Sequence, residues 1–348
     1  MDIKSRSTTS PILPDRTLRF VISALVFVAL ALPAQAMDRL PRDVFDVIAP
    51  PDRVHGGRGD MEIYQPACRI GPTQQARRRI VDVAAQEWGY FGFQTIDAAT
   101  VETRALPDGL VPDAANPVLS APRIMRRADR LGTFEDDPSL DTTIGGYWSA
   151  TPDGGADIIA KQNAAWRGPG GDAVNWVEPW SAAFVSWVMC EAGLGELKQF
   201  QRSIAHRTYI DQAIHARDGE APDAAYEAHD VGELPIEPGD LLCNSRGGVD
   251  YRSVADRRKD LGGYVPAHCD IVVKSEPTRV LVIGGNVLQS VSLTILPLSG
   301  EGSAYPRPID DSTISGARTV FAHLKLRADA IETNALDHTP TIRALAAH

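Results

Sequence analysis

The spacing of apolar residues changes once along the chain, and that change divides it. From Thr73 to about Arg217 apolar positions recur every three or four residues, the period of helices. From Gly239 to Leu326 they recur every second residue, in runs separated by Gly, Pro and Asp, the period of strands. Ile80, Val83, Ala84, Glu87, Trp88 and Phe91 form the stripe of a first helix. A Pro-rich stretch, Leu106 to Pro117, breaks the pattern, and Ser120 and Gly132 bracket a second helix over "APRIMRRADRLG". A third amphipathic segment, "GGYWSATPDGGADIIAKQNAAW", leads to a helix from about Trp180 to Ala192, started by Pro179 and stopped by Gly193. Another helix covers "SIAHRTYIDQAIHAR", and a polar loop follows from about Asp218 to Gly232. The strands read as "GDLLCN", "HCDIVV", "RVLVIGGNV", "SVSLTILPL" and "TVFAHLKL". Helices first and an antiparallel sheet second predict an α+β fold, with N-terminal helices packed on a small antiparallel sheet.

The ends read differently. Lys4, Arg6, Arg16 and Arg19 precede the apolar run Phe20 to Leu32, and "PAQAM" follows. A charged start, a short apolar core and an A-x-A end predict a cleaved export signal over residues 1–36. The run is shorter than the roughly 20 residues a membrane helix needs. The expected organisation is therefore a signal (1–36), an irregular lead-in rich in Pro, Gly and charge (37–72), one domain (73–326, helical to 235 and sheet from 236) and a loosely held tail (327–348). The expected location is periplasmic or secreted, with no membrane span once the signal is removed.

Composition narrows the function classes. Removing residues 1–36 takes away four basic and two acidic side chains and moves the formal charge from −10 to −12. A chain this acidic, with no long basic run, has no footprint for nucleic acid. Cys68, Cys190, Cys243 and Cys269 include no C-x-x-C pair. Export would permit disulfides, and the sequence leaves open both their pairing and the alternative of small buried hydrophobes. No G-x-S-x-G elbow, P-loop or H-x-x-x-H pair occurs, so no metal and no cofactor is expected.

The candidate chemistry centres on Ser181, in the first turn of its helix. A hydroxyl there lies beside unpaired backbone N–H groups and the positive end of the helix dipole, which suits a nucleophile and equally suits a capping serine. Cys190, nine residues on, falls half a turn off Ser181's face. In "AHCDIVV", His268 and Asp270 point one way and Cys269 the other. Asn286, on the next strand, can hold one nitrogen of the His268 ring while the other faces a nucleophile. His206 and Tyr209, in the segment after the Ser181 helix, are candidates to wall a cleft and contact substrate, as is Trp180; surface or core positions fit them as well. Trp148, Trp166, Trp176 and Trp180 suit either a binding groove or an aromatic core. Asp240, at a strand entry, reads as structural.

"WSAAFVSWV", "PGDLLC", "AHCDIVV" and "GGN", in this order, resemble the CHAP amidase/peptidase family and its NlpC-type relatives. The stretch from about Arg77 to Leu324 is also similar to an exported bacterial family, domain of unknown function 2272, through "EPWSAAFVSW", "AHRTYI" and "HCDIVV". The resemblance implies a papain-like fold and cleavage of peptide or amide bonds in peptidoglycan, with Ser181 in place of the catalytic Cys, and with His268 and Asn286 as its partners. The exchange matters physically. A thiolate–imidazolium pair is served by a neutral Asn, whereas a serine needs a full general base whose developing charge a carboxylate stabilises. In serine proteases, replacing the orienting Asp by Asn costs about 10⁴ in rate. Asp270 could supply that charge, although about 6–7 Å of strand separates it from His268, an argument against a direct hydrogen bond. Two readings follow: a hydrolase acting on peptidoglycan or an envelope peptide, and an inactive relative that binds such a ligand or a protein in the same cleft.

Overall fold

The computed structural model describes residues 36–104, 123–129, 132–309 and 319–347, all within one unit, Ala34–His348. The expected export signal therefore lies, apart from Ala36, outside the described residues, as do Leu106 to Pro117 and Ser120. Two short strands, β1 (Val54–His55) and β2 (Glu62–Ile63), pair in the lead-in, and helix α1 spans Ala76–Tyr90. Strands β3 (Thr95–Arg104) and β4 (Arg123–Asp129) precede helices α2 (Asp141–Trp148), α3 (Gly155–Trp166), α4 (Ser181–Glu191) and α5 (His206–Arg217). The rest comprises β5 (Tyr226–His229), β6 (Leu241–Ser245), a short α6 (Val254–Arg258), β7 (Ala267–Glu276), β8 (Arg279–Val287), β9 (Ser290–Ser299), β10 (Arg307–Pro308), β11 (Val320–Leu326) and α7 (Pro340–Ala346).

The sheet is larger than expected and mixed rather than antiparallel. Its order is β4-β3-β9-β8-β7-β6-β11-β5, with β10 added beside β9. The β3–β9 pair is parallel, with Thr95 opposite Leu293, and the other pairs are antiparallel. Arg123–Asp129, expected as a helix, is the outermost strand. Its pairing with β3, from Thr95↔Asp129 to Arg104↔Arg123, overrides the local period. Tyr226–His229, expected in a loop, closes the other edge against β11. Thr151, Pro152 and Asp153 split the third amphipathic segment into α2 and α3.

Strand alternation sorts the core into two faces. Cys269, Ile271, Ile283, Val291 and Leu293 join the helices in the main core, while Leu242, Val272, Val280 and Val282 build a smaller cluster on the other face. Helix α4 is buried on every side, as Ala182, Phe184, Val185, Trp187, Val188 and Met189 leave it no polar face. It reaches the sheet closely because Gly285 has no side chain: a Cβ there would lie 2.5 Å from Phe184 Cβ.

The lead-in and the tail are both tied down. Cys68 bonds to Cys190, buried Arg53 pairs with Glu191, and Arg39 Nε donates to Glu87 at 2.7 Å. Cys190's position off Ser181's face is what turns it to the lead-in. The expected loose tail instead packs against the body. Ala335, Leu336 and Thr341 are buried, Lys274 pairs with Asp337 at 2.8 Å, and Thr339 caps α7. No helix among the described residues is long and apolar enough to cross a membrane.

Candidate functional site

Two helix starts meet at the site. Ser181 is the first residue of α4 and His206 the first of α5. The entry to α5 is tethered to α4 by Ser186, whose hydroxyl donates to Ser203 O and accepts from Ser203 N, each at 3.1 Å. Asp153 secures the same loop, accepting from Ser203 Oγ at 2.5 Å and Ile204 N at 3.0 Å. The result is a hydrogen bond of 2.7 Å between Ser181 Oγ and His206 Nε2. The other nitrogen of that ring, Nδ1, is bonded to Tyr209 Oη, one turn along α5, and receives the backbone N–H of Cys269 at 3.2 Å.

A second imidazole lies alongside. The rings of His206 and His268 are 5.1 Å apart, centroid to centroid, and tilted by 53°. His268 Nε2 donates to Asp270 Oδ1 at 2.7 Å. This bond forms despite the spacing of the two residues along β7, because both side chains lean together. Gly284, across from Asp270, leaves room for the carboxylate: a Cβ there would come within 1.9 Å of Asp270 Oδ1. Cys269, on the opposite face, bonds to Cys243, its direct partner in the β6–β7 register.

Asn286 does not take the role expected of it on the His268 ring. A bulge between Gly284 and Val287 and a left-handed backbone (φ 53°) turn its side chain toward the start of α4. With its amide oriented to satisfy both groups, its oxygen accepts from Trp180 N at 3.1 Å and Trp180 Nε1 at 3.2 Å. The indole N–H is shared with Glu135 Oε2 at 2.8 Å. Burial pushes the Glu135 carboxyl up, against the hydrogen bond from Trp180. Trp180 is thus a core residue, stacked on Tyr147, and not a wall for substrate. Tyr209 is also interior, and burial first, then the charge of Asp270, holds its hydroxyl well above its ordinary pKa. The other three candidates for a groove, Trp148, Trp166 and Trp176, are buried as well.

The cluster is closed in. Ser181 and His206 are each 4% exposed and His268 is 0% exposed, while Asp270 and Asn286 are part-exposed. Among the described residues no group of three or more His, Cys, Asp or Glu is placed to hold a metal ion. Asp240 belongs to a separate buried network with Arg77, His323 and Lys325. Although burial works against it, the hydrogen bond from His323 and the surrounding positive charges lower its carboxyl to about 2. A concavity of about 760 Å³, lined by Asp230, Arg252, Glu301 and Arg307 among others, is bordered by none of the cluster residues.

Sequence reasoning missed Glu135, the Cys269 N–H and the bond between Ser181 and His206. Only the adjacent glycines of "GGN" signalled close packing at this point of the sheet.

A family model described as "Uncharacterized protein conserved in bacteria (DUF2272)" matches residues 135–326. The chain belongs to the DUF2272 family. Its DUF2272 span opens on Glu135 and holds every residue of the cluster, from Ser181 to Asn286, whereas α1, β3, β4 and α7 lie outside it. No curated protein and no solved structure matched this DUF2272 chain in the same comparisons.

Proposed function

We propose that this DUF2272 protein is an exported hydrolase of amide or ester bonds in the cell envelope, with Ser181 as its nucleophile and the His268–Asp270 pair as its base. The observation that carries the reading is a helix-start hydroxyl hydrogen-bonded to one imidazole, with a second imidazole beside it that donates to a carboxylate. In the resulting step Ser181 Oγ bonds to the carbonyl carbon, its proton passes to His268 and then to the departing amine or alcohol, and the C–N or C–O bond breaks. Water then releases the acyl group as an acid and restores the serine. The first N–H groups of α4 are suited to the oxyanion, and Asp270 offsets the charge that builds on the imidazole. A papain-like arrangement is supported by α4 packed on the sheet, with His268 on β7. The two disulfides support an oxidising compartment.

The test is labelling by a fluorophosphonate probe together with hydrolysis of purified peptidoglycan. Wild type should label at Ser181 and Ser181→Ala should not, with any release of envelope fragments lost in parallel. A wild-type protein that neither labels nor turns over would sink the hydrolase reading. The burial of Ser181 and His268 favours a second reading, an inactive relative that binds an envelope ligand through the same region. Binding of peptidoglycan fragments by both wild type and Ser181→Ala, without hydrolysis by either, would select it.

A further inference from the structure

His206 is hydrogen-bonded to the Ser181 hydroxyl and looks at first like its base. Its hydrogen bonds argue otherwise. A backbone N–H can only donate, so the 3.2 Å contact from Cys269 N requires His206 Nδ1 to be an acceptor. The hydroxyl of Tyr209, which burial keeps protonated, can donate to the same nitrogen. A neutral imidazole carries one N–H, and with Nδ1 accepting, that N–H is on Nε2. Nε2 faces Ser181 Oγ at 2.7 Å, so in this bond the serine oxygen accepts. A proton on Nδ1 would set two N–H groups against each other at the Cys269 contact, inside a pocket where His206 is 4% exposed.

We propose that His206 is a positioning residue: locked in its Nε2–H tautomer by Cys269 N–H and Tyr209, it donates to Ser181 Oγ, fixes the hydroxyl's orientation and does not take its proton. The proposal rests on the reading of Ser181 as a nucleophile only in its kinetic part. The tautomer is a property of the resting protein. The arrangement divides the two imidazoles by role. His206 presents an N–H to the serine oxygen. His268 spends its N–H on Asp270, so its Nδ1 is the basic nitrogen of that ring. Ser181's own proton, directed away from His206, is available to a different acceptor.

Two measurements test this. In ¹⁵N-histidine NMR of the full wild-type protein near neutral pH, His206 should show a protonated Nε2 and an unprotonated Nδ1. The opposite tautomer, or an imidazolium, overturns the proposal whether or not Ser181 reacts. The second measurement is the rate of fluorophosphonate labelling against pH in wild type, His206→Gln, His206→Leu and Tyr209→Phe. The Gln side chain keeps an N–H donor but cannot accept a proton. His206→Gln should therefore lose less than about 10-fold and keep the wild-type pH inflection, with His206→Leu falling further. Removal of a general base typically costs about 10²–10⁴-fold. Loss of that size in both the Gln and the Leu variants, together with loss of the inflection, would make His206 the base and end the proposal. Tyr209→Phe should lower the labelling rate and leave the inflection in place. Absence of wild-type labelling would count against the nucleophile alone, since the NMR result stands apart from it.

Discussion

Asp270 is the residue whose role differs most between the chain read in one dimension and the folded chain. Distance along a strand argued against a hydrogen bond to His268, yet the two side chains meet at 2.7 Å. If Asp270 serves by its charge, Asp270→Asn should keep an oxygen that accepts from His268 Nε2 while removing the stabilisation of the imidazolium. The labelling rate should then drop by roughly 10²–10⁴-fold, with the inflection moved to lower pH. A rate within twofold of wild type would assign Asp270 a purely packing role. The alternation along "AHCDIVV" put His268 and Asp270 on one side of their strand, and Pro179 put Ser181 at a helix start, and the fold keeps both placements. The Ser181–His206 bond was not legible, because it joins residues 25 apart in sequence through a loop whose path depends on Ser186 and Asp153.

At the scale of elements, a local period reveals a strand or helix when one face of that element meets the core. α1 and α5 and strands β6 to β9 and β11 follow the pattern for that reason, whereas α4, buried on every side, was marked by Pro179 before it and Gly193 after it. β4 and β5 owe their state to pairing with distant partners, which no local window contains. Helix α1 also carries a cost the pattern does not reveal. Asp82 is buried, and desolvation raises its carboxyl to about 6, against the pull of Arg78, Arg79 and Arg343. A folded pKa above the ordinary 3.8 means that the folded state binds the proton more tightly. Stability should therefore fall as pH rises from about 4 to about 6, by on the order of 3 kcal/mol. Asp82→Asn should flatten that slope and leave the protein more stable than wild type at pH 7, as urea unfolding at several pH values would reveal. Equal slopes in the two proteins would rule the effect out.

For the molecule as a whole, two covalent links divide the work of holding the chain. Cys68–Cys190 closes a span of 122 residues and staples the lead-in to the central helix, whereas Cys243–Cys269 closes only 26 within one hairpin-like pair. Loop-closure entropy gives roughly 5 kcal/mol for the first and roughly 3.5 kcal/mol for the second. Replacing the first pair by alanines should lower the urea midpoint more than replacing the second. The reverse order would show that the shorter link contributes through native packing and not through the unfolded chain. The general layout of helices over a sheet was legible from the switch of period. The sheet's full width was not, because β3 and the edge strands β4 and β5 join it by pairing with partners distant in sequence.

The neighbouring glycines 284 and 285 form a notch open on both sides of one strand, one side admitting a carboxylate and the other a phenyl ring. Even a methyl group at the first would expel the acid from the imidazole, and at the second it would lift the central helix. If His268 and Asp270 act as proposed, a relative with any larger residue at the first place needs another partner for its histidine. That single letter therefore offers a way to sort the family's members.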